Sequence, residues 1–338
     1  MSLTASQQQE APGRLARWRI ARRVARVLGQ YAVQWLFLLA VIILGVINAN
    51  FRQLSNIQNI LMQASFAGIG AAGMTLLIIN GAFDLSVGGI IGLCGVALAI
   101  LLPALGLVPT IVVVLLLGTT LGLVNALIVT RGRIPAFIAT LGTKYIYMAL
   151  AYIWTSAQVI PATRADFRFL GTGKLLYVPV PFLAMVVVYL ICFGIMRFTR
   201  YGRYLRAVGS NEVASRVAGL PVERVRLFAF ALVGLFTATT CVFLTAYLSS
   251  ANAIMAIEGT SFELRAIAVA VVGGTSLNGG QGTLFGSFVG ALLFTVISNA
   301  LNMFKVDPYW QYIVTGLVLI TALGIEALRS RFIAIART

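Results

Sequence analysis

Long apolar runs, separated by short polar or glycine-rich breaks, follow one another from residue 31 to near the C-terminus. A helix that crosses a membrane needs about 20 mostly apolar residues, and most of these runs are long enough. The runs are continuous and do not alternate every second residue, so they predict helices rather than the strands of a membrane barrel. The predicted spans are residues 31–50, 61–80, 85–105, 107–130, 134–157, 177–196, 225–248, 264–274, 283–304 and 310–328.

The eighth apolar run is too short to cross a membrane unaided. We therefore expect an all-α integral membrane protein, a polytopic bundle of about eight to ten transmembrane helices, some of them interrupted. The chain would divide into a basic N-terminal segment, a single transmembrane domain with one long connection at 197–226, and a short tail. These parts cover residues 1–30, 31–328 and 329–338.

The composition agrees with a surface that faces lipid. Of the 338 residues, 60% are hydrophobic and 10% are charged, whereas a soluble domain carries about 25% charged residues. The chain contains no histidine, which excludes Ser-His-Asp and Cys-His catalytic sites and histidine metal ligands. Cys94, Cys192 and Cys241 lie inside apolar runs without CxxC spacing, and we expect them to be small core residues rather than metal ligands.

The basic residues lie mostly in connections that share one side of the predicted bundle. Because Lys and Arg concentrate in cytoplasmic loops, both termini are expected inside the cell. This orientation places 18 basic residues inside, 5 outside and 2 in or beside spans. The net charge of +16 then comes from basic residues at the ends of the spans, and it does not indicate binding to nucleic acid. The basic stretch 14–26 either lies on anionic lipid headgroups or only retains the N-terminus inside.

Glycines recur at four-residue spacing in several predicted spans. This spacing puts them on one helix face and lets neighbouring backbones approach closely where the lipid gives no hydrophobic drive. We expect packing within the chain, with a subunit interface as the alternative. The residues concerned are Gly88, Gly92, Gly118, Gly122, Gly282, Gly286 and Gly290.

Two glycine-dense breaks, at residues 80–89 and 273–282, interrupt the apolar runs, one early and one late in the chain. Paired interruptions in two halves of a transporter indicate broken helices beside the transported solute. We therefore expect polar residues of the breaks and of the fifth span to line a translocation path. The candidates are Asn80, Asp84, Ser86, Thr140, Thr275, Ser276 and Asn278.

Asp84 and Lys144 are the main candidates for charge inside the bundle. A carboxylate at the centre of a span costs about 2.5–3.5 kcal/mol, so such a group faces protein or water. Asp84 either caps the helix that begins near Leu85, which is the preferred interpretation, or lines a polar path. Lys144 is expected to extend its long side chain to the membrane interface, with a buried partner or a position on the path as the alternatives.

The connection 197–226 contains the pattern of a short helix outside the membrane. Asn211 suits its N-cap and Gly219 its C-terminal stop. Two valines one turn apart give an apolar stripe, and a Glu–Arg pair at i, i+4 supports the helix. So short a helix is marginal alone, and it must pack on its own protein, on lipid or on a partner. A docking surface here would comprise Gly209, Asn211, Glu212, Val213, Ala214, Arg216, Val217 and Gly219.

Six short motifs together resemble the permease subunits of bacterial ribose-type ABC sugar importers, which are related more distantly to branched-chain amino-acid permeases. The motifs occur in the family's order across about residues 50–320. They are GMTL at 73–76, DLSVG at 84–88, FIATLG at 137–142, TRYGRY at 199–204, AVGSN at 207–211 and GGTSL at 273–277. One departure is Glu263-Leu264-Arg265, where the family often has Glu-Leu-Asp, and it reverses a charge near the outer mouth.

The resemblance implies a pore formed by two permease subunits, identical or different, in the bacterial inner membrane. It further implies two cytoplasmic ATPase subunits and a periplasmic sugar-binding protein as partners, and it maps the family's coupling segment onto residues 209–219. No cofactor is expected in this chain. ATP and Mg would be bound by the partner ATPase, because residues 171–174 lack the GxxxxGK[ST] spacing of a P-loop.

The sequence therefore indicates a non-enzymatic permease subunit of an ATP-driven importer for a monosaccharide or a related small polyol. One alternative is a secondary transporter driven by an ion gradient, for which the chain offers few intramembrane carboxylates. The other alternative is an intramembrane enzyme, for which a chain without histidine offers little chemistry.

The orientation makes a testable prediction. A cysteine at Val213, in a chain without its three native cysteines, should react with a membrane-impermeant maleimide only after the inner face of the membrane is opened. Arg168→Cys, expected outside, is the control and should react in intact spheroplasts. Labelling of residue 213 from the exterior alone would rule out the proposed coupling role of residues 209–219.

Overall fold

The computed structural model describes residues 31–252 and 262–307, and seven single helical positions between 309 and 324. Within these residues the regular secondary structure is helical apart from four two-residue strands. The helices are α1 (Ala32–Ile47), α2 (Leu54–Ile79), α3 (Val87–Leu105), α4 (Leu107–Thr130), α5 (Ala136–Thr155), α6 (Ala165–Thr172), α7 (Val180–Phe198), α8 (Arg200–Ser210), α9 (Glu212–Val217), α10 (Val222–Leu248), α11 (Phe262–Val272) and α12 (Leu284–Met303). A 3₁₀ turn, Ala49–Arg52, joins α1 to α2.

Seven of these helices are long and apolar enough to cross a membrane, namely α2, α3, α4, α5, α7, α10 and α12. The all-α polytopic fold expected from the apolar runs is thereby confirmed. The bounds agree closely with the predicted spans, except that α2 begins earlier, at Leu54. α1 has 16 residues and α11 has 11, so neither reaches full spanning length. The segments 1–30 and 329–338 and most of the span predicted at 310–328 lie outside the described residues.

The bundle has an inner and an outer set of helices. α2, α3, α10 and α12 are largely buried, and α2 contacts α10, α11 and α12 along its length. Most of the surface of α4, α5 and α7 faces the outside of the bundle. These helices carry exposed apolar side chains such as Leu116, Ile153 and Leu190. Such a surface is compatible with lipid tails, whereas the inner helices form the core that positions the polar residues.

Glycines bring α4 into backbone contact with α10. A side-chain carbon at Gly122 would overlap the carbonyl of Phe230, and one at Gly234 would overlap the carbonyl of Gly118. The two helices therefore pack with no space for a side chain between them, as four-residue glycine spacing favours in membranes. This contact fixes one outer helix on the central helix α10.

Several small elements were not predicted from the sequence. Strand β1 (Ile160–Pro161) pairs antiparallel with β4 (Ser250–Ala251), and β2 (Lys174–Leu175) pairs with β3 (Val178–Pro179). α6 packs on α10, and α8 precedes the predicted short helix α9. Two-residue strands are too short to show a period-two pattern, which is why hydrophobic periodicity did not indicate them.

Lys144 does not extend to the membrane interface, so the preferred prediction for its side chain is wrong. Its Nζ donates a hydrogen bond to Oε1 of Glu263, whose side chain is almost fully buried. An ionised carboxylate in a membrane protein interior is stabilised by a nearby cation, and this one lies on another helix. The ion pair therefore links the short helix α11 to α5.

The glycine contact predicts that Gly122→Ala lowers the melting temperature of the detergent-solubilised protein. The added methyl group forces the two backbones apart, and overpacking of this kind costs about 1–3 kcal/mol. Gly142→Ala is the matched control, since no atom lies within 4 Å of a carbon added there. Alanine is the better helix former by about 0.5–1 kcal/mol, so the control should be unchanged or slightly more stable. Equal shifts for both variants would contradict close packing as the cause.

The ion pair predicts a strongly non-additive double-mutant cycle. Glu263→Gln or Lys144→Met alone leaves one buried charge without its partner and should destabilise the protein by about 3–5 kcal/mol. The double variant leaves no unpaired charge and should be more stable than either single variant, Glu263→Gln or Lys144→Met. Thermal unfolding of the wild type, both single variants and the double variant measures the coupling. Additive effects would show that the two side chains do not interact.

Candidate coupling surface and polar cavity

Helix α9 is fixed at both ends by local chemistry. The side-chain Oδ1 of Asn211 accepts a hydrogen bond of 2.9 Å from the backbone N–H of Ala214, which caps the first turn. The helix ends at Val217, and two residues later Gly219 has a φ of +76°, a left-handed conformation that glycine adopts without a steric penalty. The sequence thus specifies where this short helix begins and ends.

Glu212 ties α9 to the rest of the protein. Its carboxylate accepts a hydrogen bond of 2.7 Å from Nη2 of Arg226 and one of 2.9 Å from Nη2 of Arg216. The hydrogen bond from Arg226, followed by the one from Arg216, holds the pKa of Glu212 below its usual value. Because Arg226 belongs to α10, this bridge fixes α9 relative to a central helix.

The apolar side of α9 points away from the protein. Val213 is 73% exposed and Val217 is 85% exposed, and Ala214 beside them is also exposed. The described residues therefore leave this side of the helix uncovered, although its position is rigidly held. An apolar patch on a fixed helix is the kind of surface that a partner protein covers.

The two glycine-dense breaks contact each other and the end of α8. The N–H of Gly280 donates to the carbonyl of Ile79 at 2.8 Å. Gly209, three residues before the first residue of α9, packs so closely on Ile79 and Gly280 that a side-chain carbon would not fit. We call this contact of Ile79, Gly81, Gly209, Gly279 and Gly280 the break junction. It places both breaks directly beside the segment that carries α9.

Asp84 lies in a buried hydrogen-bonded cluster and is fully inaccessible to solvent. Its Oδ1 accepts from the backbone N–H of Ser86 at 2.7 Å and from the Ser86 hydroxyl at 2.6 Å. Its Oδ2 accepts a hydrogen bond of 3.2 Å from the side-chain amide of Asn125. The hydroxyl of Tyr147 in turn donates a hydrogen bond of 3.1 Å to Oδ1 of Asn125. Helix α3 begins at Val87 instead of near Leu85, so the carboxylate bonds the residue at the N-cap position and not the first turn.

The other candidates for the translocation path divide by burial. Thr140 is buried and its hydroxyl accepts from the N–H of Leu85 at 3.0 Å. Asn80 and Thr275 are also buried, but their side-chain polar atoms have no hydrogen-bond partner among the described residues. Ser276 is half-buried and Asn278 is exposed. Five of the seven candidates are thus enclosed by protein in this conformation, and their role in transport stays a prediction.

The glycines of α12 lie against α11 and its break. A carbon added to Gly286 would overlap the carbonyl of Gly273, and one added to Gly290 would contact the carbonyl of Val269. Gly282 packs on Ile79 and Thr275. Gly88 and Gly92 are buried within α3.

A polar cavity of about 230 Å³ lies between α2, α11 and α12, and the sequence analysis did not predict it. On α2 the polar lining residues are one turn apart, and on α12 they follow at three- and four-residue spacing. The guanidinium of Arg265 on α11 lies 5.7 Å from the ring centre of Phe294. Polar residues at helical spacing near the end of an apolar span were the missed signal. The lining residues are Asn59, Ile60, Gln63, Arg265, Phe294, Thr295, Ser298, Asn299 and Asn302.

The polar cavity and the break junction lie at opposite ends of the same two helices. α2 runs from Asn59 at the cavity to Ile79 at the junction, a distance of about 30 Å at 1.5 Å per residue. One turn from the junction end of α2, the hydroxyl of Thr75 donates a hydrogen bond of 2.8 Å to the hydroxyl of Ser287 on α12. A movement at one end can therefore reach the other through two helices that are bonded to each other.

Comparisons with known proteins agree with this architecture. The family described as the permease component of branched-chain amino acid transport systems matches residues 56–323. The ribose import permease protein of Haemophilus influenzae is 38% identical over 307 residues, covering 87% of this chain and 93% of that protein. The ribose import permease protein of Bacillus subtilis is 36% identical over 299 residues, with 87% and 91% covered.

A third relative extends the comparison to another solute. The autoinducer 2 import system permease protein of Yersinia pseudotuberculosis is 34% identical over 283 residues, covering 83% of this chain and 80% of that protein. No solved structure matches the chain. Similarity over this share of the sequence confirms the resemblance first indicated by six short motifs, and the chain, a multi-pass membrane protein, belongs to the ribose-type permeases of ABC import systems.

Proposed function

We propose that this chain is the pore-forming subunit of an ATP-driven importer that carries a monosaccharide or a related small polyol across the bacterial inner membrane. The names of its relatives support the class of solute, since two of them are ribose import permeases. The observation that carries the proposal is the exposed apolar side of α9, held in place beside the break junction.

The partner at α9 is a cytoplasmic ATPase subunit, which also binds the ATP and Mg. Val213 and Val217 provide the apolar contact. Glu212 is already engaged by two arginines, so the helix keeps its conformation and moves as a rigid unit when the partner moves. A pre-fixed docking helix loses little conformational entropy on association. In this arrangement both termini are cytoplasmic and the polar cavity opens on the periplasmic side.

The break junction is the point at which movement of α9 reaches the transmembrane helices. Gly209 contacts the end of α2 and the second break without an intervening side chain. A rigid displacement of α8 and α9 therefore shifts both breaks together, because packed interiors transmit strain and do not absorb it. α2 and α12 then carry the change to the cavity about 30 Å away.

Three further partners complete the importer. A second permease subunit, of the same or a different chain, forms the other half of the pore. A periplasmic sugar-binding protein delivers the solute to the cavity, and membrane lipid covers the exposed apolar faces of α4, α5 and α7. Nucleic acid has no part in this function. No observation favours an ion-gradient carrier, because the Asp84 carboxylate is already hydrogen-bonded to Ser86 and Asn125.

The docking surface predicts that Val213→Asp combined with Val217→Asp abolishes association with the ATPase. An unpaired charge buried in an apolar contact costs several kcal/mol, so we expect affinity and ATP-dependent uptake to fall by more than about tenfold. Co-purification from gently solubilised membranes and uptake in energised vesicles measure the effect.

The matched control is Val213→Ile with Val217→Ile, which keeps the surface apolar and should preserve association. Since both side chains are exposed, the melting temperature of the isolated permease should stay the same in both double variants. Unchanged co-purification and uptake in the aspartate variant would refute α9 as the docking element.

A further inference from the structure

We propose that helix α8 binds anionic phospholipid headgroups in the membrane leaflet beside the break junction. Three arginines on α8 and one in the last turn of α7 follow each other at three-residue spacing, and all four are exposed. We call them the arginine row: Arg197, Arg200, Arg203 and Arg206. The inference goes beyond the proposed import function and does not depend on it, because it concerns the contact of the chain with its own membrane.

α8 has one side inside the protein and one side outside it. Gly202, Leu205 and Val208 are buried, and the helix contacts α2, α7 and α10. The three arginines of α8 fall on the opposite side, because residues at three-residue spacing stay on one side of a helix over two turns. The apolar side therefore holds the helix in place, and the charged side is open to the surroundings.

Three attachments show that α8 lies along the membrane boundary and does not project from the bundle. α7 ends at Phe198, and α8 begins two residues later. Near its start, Tyr201 packs edge-on against Phe228 of α10, with the ring centres 4.7 Å apart. Near its end, Gly209 packs on the backbone of Ile79, the last residue of α2. A helix of 11 residues is about 16 Å long, and both of its ends lie beside the ends of spans.

Arg197 shows the depth at which the arginine row begins. It belongs to the last turn of the apolar span α7. There the exposed rings of Phe193 and Phe198 pack edge to face, with centres 6.3 Å apart. Aromatic rings and basic residues at the end of a span mark the boundary between hydrocarbon and headgroups. Since α8 continues along this boundary, its long arginine side chains reach the depth of the lipid phosphates.

No carboxylate of the described residues compensates the arginine row. None of the ion pairs between described residues includes one of its members. Arg203 donates a hydrogen bond of 3.3 Å to the backbone carbonyl of Thr199, which leaves its positive charge in place. The connection 197–226 contains seven arginines and two glutamates, and Glu212 is engaged by two arginines outside the row. A row of this charge attracts anions, which an anionic leaflet supplies at high local concentration.

The spacing of the arginine row suits several headgroups in a surface better than one small anion. Residues three apart on a helix are displaced by about 4.5 Å along its axis, so the part of the row on α8 extends over about 9 Å. A small anion is held by donors that converge on it, whereas donors along a line each meet a different headgroup. Each guanidinium can hold two oxygens of one phosphate through parallel hydrogen bonds.

A protein partner fits the charged side of α8 less well than lipid does. Protein interfaces combine a polar rim with a desolvated apolar centre. No large apolar side chain is exposed within α8, whose residues are all described, whereas α9 exposes Val213 and Val217. The surface for the proposed ATPase is therefore on α9, and the arginine row is assigned to lipid.

The test compares two phospholipids that differ in headgroup charge, on the purified full-length permease in detergent. Phosphatidylglycerol and phosphatidylcholine with the same acyl chains are added at increasing concentrations. The melting temperature gives an apparent affinity, because a ligand that binds the folded state raises it. We expect phosphatidylglycerol to bind at least about tenfold more tightly. The preference should disappear between about 0.1 M and about 1 M KCl, where the Debye length falls from about 10 Å to about 3 Å.

Arg200→Gln, Arg203→Gln and Arg206→Gln combined should lower the apparent affinity for phosphatidylglycerol at least about tenfold. All three side chains are exposed, so the melting temperature without added lipid should stay that of the wild type. Lysine at the same three positions keeps the charges and should keep the affinity within about threefold. The basic segment 1–30 is present in every variant, so its contribution cancels in the comparison.

The matched control combines Arg131→Gln, Arg133→Gln and Arg224→Gln. It removes three exposed charges from the same side of the predicted bundle and leaves the arginine row intact. The two glutamine variants therefore have the same net charge, and the control should keep its preference for phosphatidylglycerol. An equal loss of affinity in both variants would show an effect of total charge and would overturn the assignment to α8.

Three other results would also overturn the inference. The first is equal stabilisation of the wild type by phosphatidylglycerol and phosphatidylcholine. The second is the same stabilisation by inorganic phosphate at equal ionic strength, which would indicate a site for a small anion. The third is loss of the co-purifying ATPase from the α8 glutamine variant with its lipid affinity unchanged, which would assign the arginine row to a protein. Since lipid binding is measured on the isolated permease, its failure leaves the proposed import function intact.

Discussion

Backbone hydrogen bonding in a medium without water is the constraint on which this structure depends. A helix that stops inside a membrane protein exposes backbone groups that lipid cannot satisfy. Here α2 stops at Ile79 and α11 stops at Val272, and each is followed by a glycine-dense break. The Ile79 carbonyl is satisfied by the N–H of Gly280, which comes from the other break. The two interruptions are therefore tolerated because they lie together.

The contact between the two breaks also explains why Gly209, at the end of α8 and just before α9, lies against them. Two breaks in contact form a concave site that only a backbone without a side chain can approach, and Gly209 occupies it. The same contact that satisfies the breaks thus gives an element outside the bundle direct access to its interior. Under the proposed coupling role, function and folding share one set of backbone contacts, so a change at Gly209 would affect both.

The sequence was sufficient for features that depend on local chemistry. Bilayer thickness determines span length, so the apolar runs predicted the long helices, and Asn211 and Gly219 predicted the limits of α9. Features that depend on which helices face each other could not be predicted in this way. Lys144 and Glu263 are 119 residues apart in sequence, and periodicity within α5 does not reveal a partner on α11. The polar cavity was missed for the same reason, because its walls come from three separate helices.

The pairing of Lys144 with Glu263 has a consequence for the order in which the chain enters the membrane. A lysine in the middle of a span costs about 2.5–3.5 kcal/mol on insertion, and the carboxylate that pairs with Lys144 lies 119 residues later in the chain. Because synthesis proceeds from the N-terminus, α5 enters the bilayer before its counter-charge has been made. The full stability of α5 in the bilayer is therefore reached only when α11 has been synthesised and placed beside it.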